Sequence, residues 1–494
     1  MASVTHMIVP SGPTLLGEKS QYRLSKNDLL LNYTGHIVSV VPAKLDVERL
    51  REAIARTFTW FPLFCGRLVR EPEWAISVSP PQPVPLVIKP WNPTPSESME
   101  ATLVVRVPPA LPIEDINPFR LLSGEEPVLG KFTILTSETA TAIAMSCTHI
   151  VSDLYVAVKF MRVWSQQYVG DVIDRPPVYE GIIDPELPAD PARLAFVRSK
   201  LPKLLSDTFP FDKIDFSIFA PFPVTRVDVF LSGAQVRALH SAVLRLATAA
   251  AARSGKEPNV QPSALTRQDV LSALIVAATN ASYDTPVTQI HSVMDCRGVN
   301  PAFLPREAIA NGIQYATTAP VTISPDPREL VLSYATHIRA SLIEARDPQY
   351  VKDLLAVSGE EWYGPAQANL GHYVAPSPGQ ICINSSYRVN WSATHFGYPG
   401  QARWHHPDTV PTDNYVLMFP SNPVYDRASG TWRTDEGACD VSVKVRTGRQ
   451  DLFAAEVLRV WKAVVGDGDG DWQALPKVVN FGHKEAGISW HAKL

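Results

Sequence analysis

The sequence predicts a two-domain α/β protein built on mixed sheets, and three observations lead there. The 494 residues are 45% hydrophobic, and chains beyond roughly 250–300 residues divide their apolar content between separate cores. Strand-like and helix-like patterns alternate in both halves. Between the halves, from about Arg175 to Pro223, runs a Pro-rich, irregular stretch suited to a crossover. The expected division is a first domain at 1–190, a crossover at 191–223 and a second domain at 224–494.

Leu50, Ile54 and Phe58 recur at helical spacing behind an Asp46 N-cap, which predicts a helix that Pro62 closes. Lys131–Thr136 and Thr141–Thr148 read as two strands joined by the polar turn Ser137-Glu138-Thr139. His149 follows the second strand directly. Leu154, Val158 and Met161 then mark one face of a helix that Gly170 ends. His149 and Asp153 therefore sit at a strand-to-helix corner, a common place for chemistry. A short basic-apolar piece, Arg198–Leu205, interrupts the crossover. In the second half the patterns predict a helix near Gln268–Asn280, a strand near Gln289–Asp295 and a long helix from about Pro327 to Arg346. The last helix carries Phe453, Val457, Val460 and Val464 on one stripe and stops at Gly466. No repeat of roughly 20–50 residues recurs, which argues against solenoids and propellers.

Composition narrows the function. A net charge of -4 gives no electrostatic reason to expect nucleic acid or an anionic membrane as partner. The first twenty residues lack a basic start followed by an apolar run, and no stretch approaches the roughly 20 apolar residues of a membrane span, so a cytoplasmic protein is expected. Cys65, Cys147, Cys296, Cys382 and Cys439 are scattered and never form a CxxC pair, so reduced thiols are expected rather than disulfides or zinc. The 44 prolines imply long ordered loops. Gly466–Asp471 resembles the opening of a calcium loop, but Trp472 and Val478 stand where Gly and Glu are needed, so it reads as a solvated turn. His405-His406 has no third ligand nearby and reads as a loop pair; no metal is expected. The glycosylation patterns at Asn32, Asn280, Asn384 and Asn390 are chance matches in a cytoplasmic chain. There is no GxSxG elbow, phosphate loop or dinucleotide fingerprint, which weighs against serine hydrolase, nucleotide and redox chemistry.

The chemistry concentrates at His149-Ile-Val-Ser-Asp153. A histidine with a pKa of about 6.5 is largely neutral at cellular pH and accepts a proton from a hydroxyl or amine. Asp153 either assists it or fixes local geometry through a buried charge pair. Several separated stretches resemble the BAHD and related fungal acyltransferases of the chloramphenicol and carnitine acyltransferase superfamily. Leu24-Ser25-Lys26-Asn27-Asp28 resembles the family's LSxxD, Phe61–Leu68 its YPLAGRL, and His149–Asp153 its HxxxD. Asp295-Cys296-Arg297, with Asn300-Pro301 and Leu304-Pro305, resembles DxRxxxxPPLP, and Ala310-Asn311-Gly312 lies where a small turn is usual.

The resemblance spans roughly residues 20–465. It implies two chloramphenicol acetyltransferase-like domains of one topology with a tunnel between them. It implies acyl transfer from an acyl-CoA co-substrate to a small specialised metabolite, with His149 as base, Asp153 beside it, no bound cofactor and a monomeric chain. Ser385 or Ser386, on the strand facing the histidine, would stabilise the oxyanion. Arg297 and Asn311 would be structural neighbours of the site. The family's DFGWG is degraded here to His395-Phe396-Gly397-Tyr398-Pro399-Gly400. His395 cannot give Arg297 its usual carboxylate, so a substitute acid or solvent access is expected. Leu154 replaces the Gly that usually follows HxxxD. Trp391, His395 and Tyr398 are expected to line the acceptor pocket. The departures leave a second reading, a repurposed scaffold whose tunnel, with both His149 and His395 facing it, binds or cyclises a metabolite without acyl transfer.

Overall fold

A computed structural model describes the chain apart from residues 1–2, 30–33, 71–72, 93–115, 117–119, 122–123, 126–127, 181–182, 202–207, 211–222, 255–259, 373–375, 407–412, 467–474 and 481–494. Parts of the crossover, Asn32 and most of the Gly466–Asp471 run fall outside the described residues.

The strands of the two main sheets are β1 (Val4–Ile8), β2 (Thr34–Val41), β3 (Val84–Pro90), β4 (Gly130–Thr136), β5 (Thr141–Thr148), β6 (Val224–Leu231), β7 (Gln289–Asp295), β8 (Ile313–Thr317), β9 (Gln380–Ser385), β10 (Arg403–His405), β11 (Tyr415–Pro420), β12 (Cys439–Arg446) and β13 (Lys477–Asn480). They form one sheet of order β1-β3-β4-β5-β2-β10 and another of order β8-β7-β9-β11-β12-β6-β13. Both are mixed. In the first, only β3 and β4 pair in parallel; in the second, β9 lies parallel to both β7 and β11. The expected mixed α/β architecture is present.

The helices are α1 (Val47–Trp60), α2 (Leu154–Val169), α3 (Pro191–Lys200), α4 (Gly233–Ser254), α5 (Arg267–Thr279), α6 (Pro327–Glu344), α7 (Pro348–Gln367) and α8 (Gln450–Val465). Asp46 caps α1 through the Arg49 N–H, as its position before the apolar stripe predicts. Gly170 ends α2 at φ 89°, a left-handed conformation that glycine adopts without a Cβ penalty. Three helices were not legible. Helix α3 lies in the stretch expected to be an irregular crossover, α4 is alanine-rich with a blurred apolar stripe, and α7 starts at Pro348, the residue expected only to stop its predecessor. Proline is favourable in a first helical turn because its missing N–H has no partner there anyway.

The first core is aromatic. Phe58 and Phe61 of and after α1, Phe64, Phe132 of β4, and Phe160 and Trp164 of α2 interlock with ring centroids 4.9 to 6.4 Å apart. Each ring so buried contributes about 1.5–3 kcal/mol. Gly66 lies beside them because a Cβ there would come within 2.1 Å of Ile76, which accounts for the glycine of Phe61–Leu68. All eight residues of β5 are buried, so its sequence shows no alternation and His149 emerges from a rigid strand.

The first sheet is not made by the first half alone. Strand β10 returns from the second half and pairs antiparallel with β2, Arg403 opposite Val40 and His405 opposite Val38. Trp404 is 2% exposed and stacks on Trp391 at 5.0 Å; Trp391 also meets Phe419 at 6.1 Å. Apolar burial of Trp404 thus draws a stretch of the expected second domain into the first sheet. His405, read as a loop residue, is a buried strand residue.

Candidate active site

His149 leaves the end of β5 and Asp153 caps α2, its carboxylate accepting the Val156 N–H at 3.0 Å. The two side chains point to different partners. The His149 Nδ1 lies 2.7 Å from Asn311 Oδ1. The Asn311 amide nitrogen donates to the His149 carbonyl at 2.6 Å and lies 3.5 Å from the Asp28 carbonyl, so Oδ1 is its acceptor end. His149 Nδ1 therefore carries the hydrogen, and Nε2 carries the lone pair. Burial pushes the His149 pKa below 6.5, opposed by the charge of Asp153 and the Asn311 bond. A base with a lowered pKa stays unprotonated further into acid. The acid limb of the rate is therefore expected to have its midpoint below pH 6.5, activity falling as pH drops through that value; a pH–kcat/KM profile measures it.

The Asp153 carboxylate is held by its own set of donors. It is fully buried, accepts Arg297 Nη2 at 2.7 Å and the Gly312 N–H at 3.0 Å, and faces the protein interior. This is the geometry of the buried charge pair. Arg297 is also held by Asp295 at 2.9 Å, by the carbonyls of Ala308 and Ala310, and by the face of Tyr155 with its centroid 4.5 Å away. Asp295 accepts both the backbone N–H and the guanidinium of the residue two further on, which is what the Asp-x-Arg spacing provides. A Cβ on Gly312 would stand 2.6 Å from Arg297 Nη1, so the turn after Asn311 has to be glycine. The substitute acids expected for Arg297 are thus Asp153 and Asp295.

The degraded motif lies elsewhere. Ser165 of α2 accepts the N–H groups of His395 and Phe396 at 3.1 and 2.8 Å, and Phe396 packs on Trp164 and Tyr168. Ser165 is twelve residues along the helix from Asp153, about 18 Å at the helical rise. His395 and Tyr398 therefore lie beside the far end of α2 from Asp153. The His395 ring instead accepts the Gly397 N–H at 3.1 Å, and Tyr398 packs against the first core. Trp391 is a core residue rather than a pocket wall. Ser386 is buried and donates its hydroxyl to the Met418 carbonyl at 3.2 Å; Ser385 opens into a cleft.

That cleft, about 390 Å³, runs between α2 and the second half. Tyr155, Lys159, Arg162 and Gln166, at helical spacing, form one wall; Asp295, Glu307, Arg339, Arg346, Ser385 and Arg388 stand on the other, and Arg175 lies among them. Its lining has six cationic side chains against three carboxylates. Lys159, Arg162 and Arg339 are engaged by Glu307, Asp174 and Asp269. Arg175, Arg346 and Arg388 have no side-chain hydrogen bond or ion pair among the described residues, leaving a surplus of positive charge suited to an anionic ligand. Tyr155 and Asp295 of the lining contact Arg297, the partner of Asp153. The polar stripe Tyr155, Lys159, Arg162, Gln166 along an otherwise apolar helix was a signal that sequence reading left unused.

No family model and no curated protein matches the chain. Solved structures do. Vinorine synthase is 16% identical with a TM-score of 0.57, covering 93% of this chain and 98% of that one. F. graminearum TRI101 complexed with coenzyme A and deoxynivalenol is 12% identical with a TM-score of 0.57, covering 93% and 99%. F. sporotrichioides TRI101 with coenzyme A and T-2 is 15% identical at 0.55, covering 93% and 100%. The chain shares the fold of these structures. At such identities the likeness carries architecture alone, and the chemistry has to come from the residues. Within that fold, this chain sets His149 against Asn311, pairs Asp153 with Arg297 and opens a cationic cleft along α2.

Proposed function

We propose that this chain, divided into two domains at the crossover 191–223, transfers an acyl group from an acyl-CoA thioester to a hydroxyl or amine of a small metabolite, with His149 as general base. The observation that carries the reading is the His149 tautomer: Asn311 accepts from Nδ1–H, so the basic lone pair of the ring lies on Nε2. In the step proposed, Nε2 takes the proton as the acceptor oxygen or nitrogen attacks the thioester carbonyl carbon. A tetrahedral oxyanion forms. The C–S bond then breaks, and the proton on Nε2 passes to the departing thiolate. No covalent bond to the protein is made, and the neutral imidazole is regenerated.

The cleft supports an anionic donor. Arg175, Arg346 and Arg388 line the cleft where phosphate oxygens could be met, and Ser385 supplies a hydroxyl at the same wall. Arg346→Ala and Arg388→Ala are each expected to raise the acetyl-CoA KM by about 3- to 30-fold while kcat changes less than about twofold, since uniform binding rather than transition-state stabilisation is removed. Steady-state thiol release at varied acetyl-CoA checks the split. Purified protein given acetyl-CoA or malonyl-CoA with a panel of hydroxylated metabolites should release free thiol only when a suitable acceptor is present. Absence of release with every donor, together with no calorimetric binding of coenzyme A, sinks the reading in favour of a repurposed scaffold.

A further inference from the structure

The short turn Lys26–Leu29 belongs to the first half but holds the second through two adjacent side chains. Asp28 is 2% exposed; its Oδ1 accepts the backbone N–H of Asn311 at 2.7 Å, and its Oδ2 accepts both the N–H and the hydroxyl of Ser25 at 2.8 Å. Asn27 Oδ1 accepts from Gln314 at 3.0 Å and from Ser358 at 2.7 Å, while its amide donates to the Leu355 carbonyl at 2.9 Å. Both ends of the segment 311–314 are therefore tied to residues 27 and 28. The same segment touches both ends of the His149–Asp153 corner, Asn311 holding the imidazole and the Gly312 N–H meeting the Asp153 carboxylate.

A carboxylate is a costly way to close a turn. Asp28 has no cation among its hydrogen-bond partners, and burial pushes its pKa up to about 6. A serine or asparagine would cap Ser25 without burying a charge. What only an ionised carboxylate supplies is acceptors alone, on both oxygens, toward donors on both sides. We propose that Asp28 is a positioning residue: it fixes the Asn311 backbone and, through the Asn311 amide, the tautomer and orientation of His149. This rests on the reading of His149 as the base. The chemistry reaches across the sequence from residue 28 to residue 149 by way of residue 311.

The test uses the full chain labelled with [15N]histidine, His149→Gln serving to assign the His149 signals. In the native protein the ring nitrogens should report hydrogen on Nδ1. Asp28→Asn keeps the volume but turns a donor toward either Ser25 or Asn311, and should give a mixture of tautomers or the Nε2–H form. In thiol-release assays with acetyl-CoA it should lower kcat roughly 10- to 100-fold, the range for a small misplacement of a catalytic group, with the acetyl-CoA KM within about twofold. Ser25→Ala, which removes one donor to the same carboxylate, should move both readouts in the same direction by less. A folded Asp28→Asn with an unchanged Nδ1–H signal and unchanged kcat overturns the proposal. Should Asp28→Asn not fold, unchanged tautomer and rate in Ser25→Ala overturn it equally. If the native protein releases no thiol, the transferase reading fails, and the tautomer measurement still decides the role of Asp28.

Discussion

His149→Ala is expected to lower acceptor-dependent thiol release from acetyl-CoA by about 10²- to 10⁴-fold, the usual worth of a positioned general base. The ring is the group whose lone pair, at Nε2, is set by the Asn311 hydrogen bond, and alanine leaves the acceptor's proton to bulk water. The fold should survive. The ring is only partly enclosed, and its removal leaves the Asn311 oxygen without its donor, a cost of about 1–3 kcal/mol at most. The acetyl-CoA KM should change little, because the cationic cleft is untouched. A variant that keeps more than about a tenth of the native rate rules out general-base catalysis by this residue.

Arg297→Ala should be the more damaging change to stability. The guanidinium is 1% exposed, the partner Asp153 carboxylate is fully buried, and four further groups converge on the same side chain. Breaking a buried pair from one side leaves an uncompensated charge in the interior, and about 3–5 kcal/mol of unfolding free energy is expected to be lost. Asp153→Asn should cost less, since Asp295 still faces Arg297 and the α2 cap survives on an amide oxygen. Urea unfolding followed by tryptophan fluorescence gives both numbers. A loss below about 1 kcal/mol for Arg297→Ala means the pair is compensated by solvent. Activity should fall with stability here, because Gly312 and Asn311 adjoin the Arg297 side chain that would be removed.

Much of the frame was legible before any coordinates. The N-cap of α1, the strand pair before His149, the helix after it and the terminating Gly170 all follow from local spacing and backbone chemistry, and the structure has each within a residue or two. The links that assemble the site were not legible, because they join positions far apart in the chain. Nothing near Asn311 announces that its amide meets His149, and nothing near Asp153 announces Arg297. The degraded motif misled for a related reason. Its resemblance suggested proximity to the His149–Asp153 corner, whereas Ser165 and the Phe396 ring dock it against the opposite end of α2. Trp391 was drawn to the pocket by its neighbours in sequence and to the core by its neighbours in space.

The return of Arg403–His405 to the first sheet has a bearing on how the chain is made. Strand β2 sees its outer partner only after more than 360 further residues have been added. At about 5–20 residues per second that is on the order of 20 to 70 seconds on the ribosome. Throughout that interval the emerging first half presents an unpaired strand edge beside apolar surface that Trp391, Phe396 and Trp404 have yet to cover. The edge of β2 is therefore paired only once residue 405 has left the ribosome, and the first sheet is completed after, not during, synthesis of the first half.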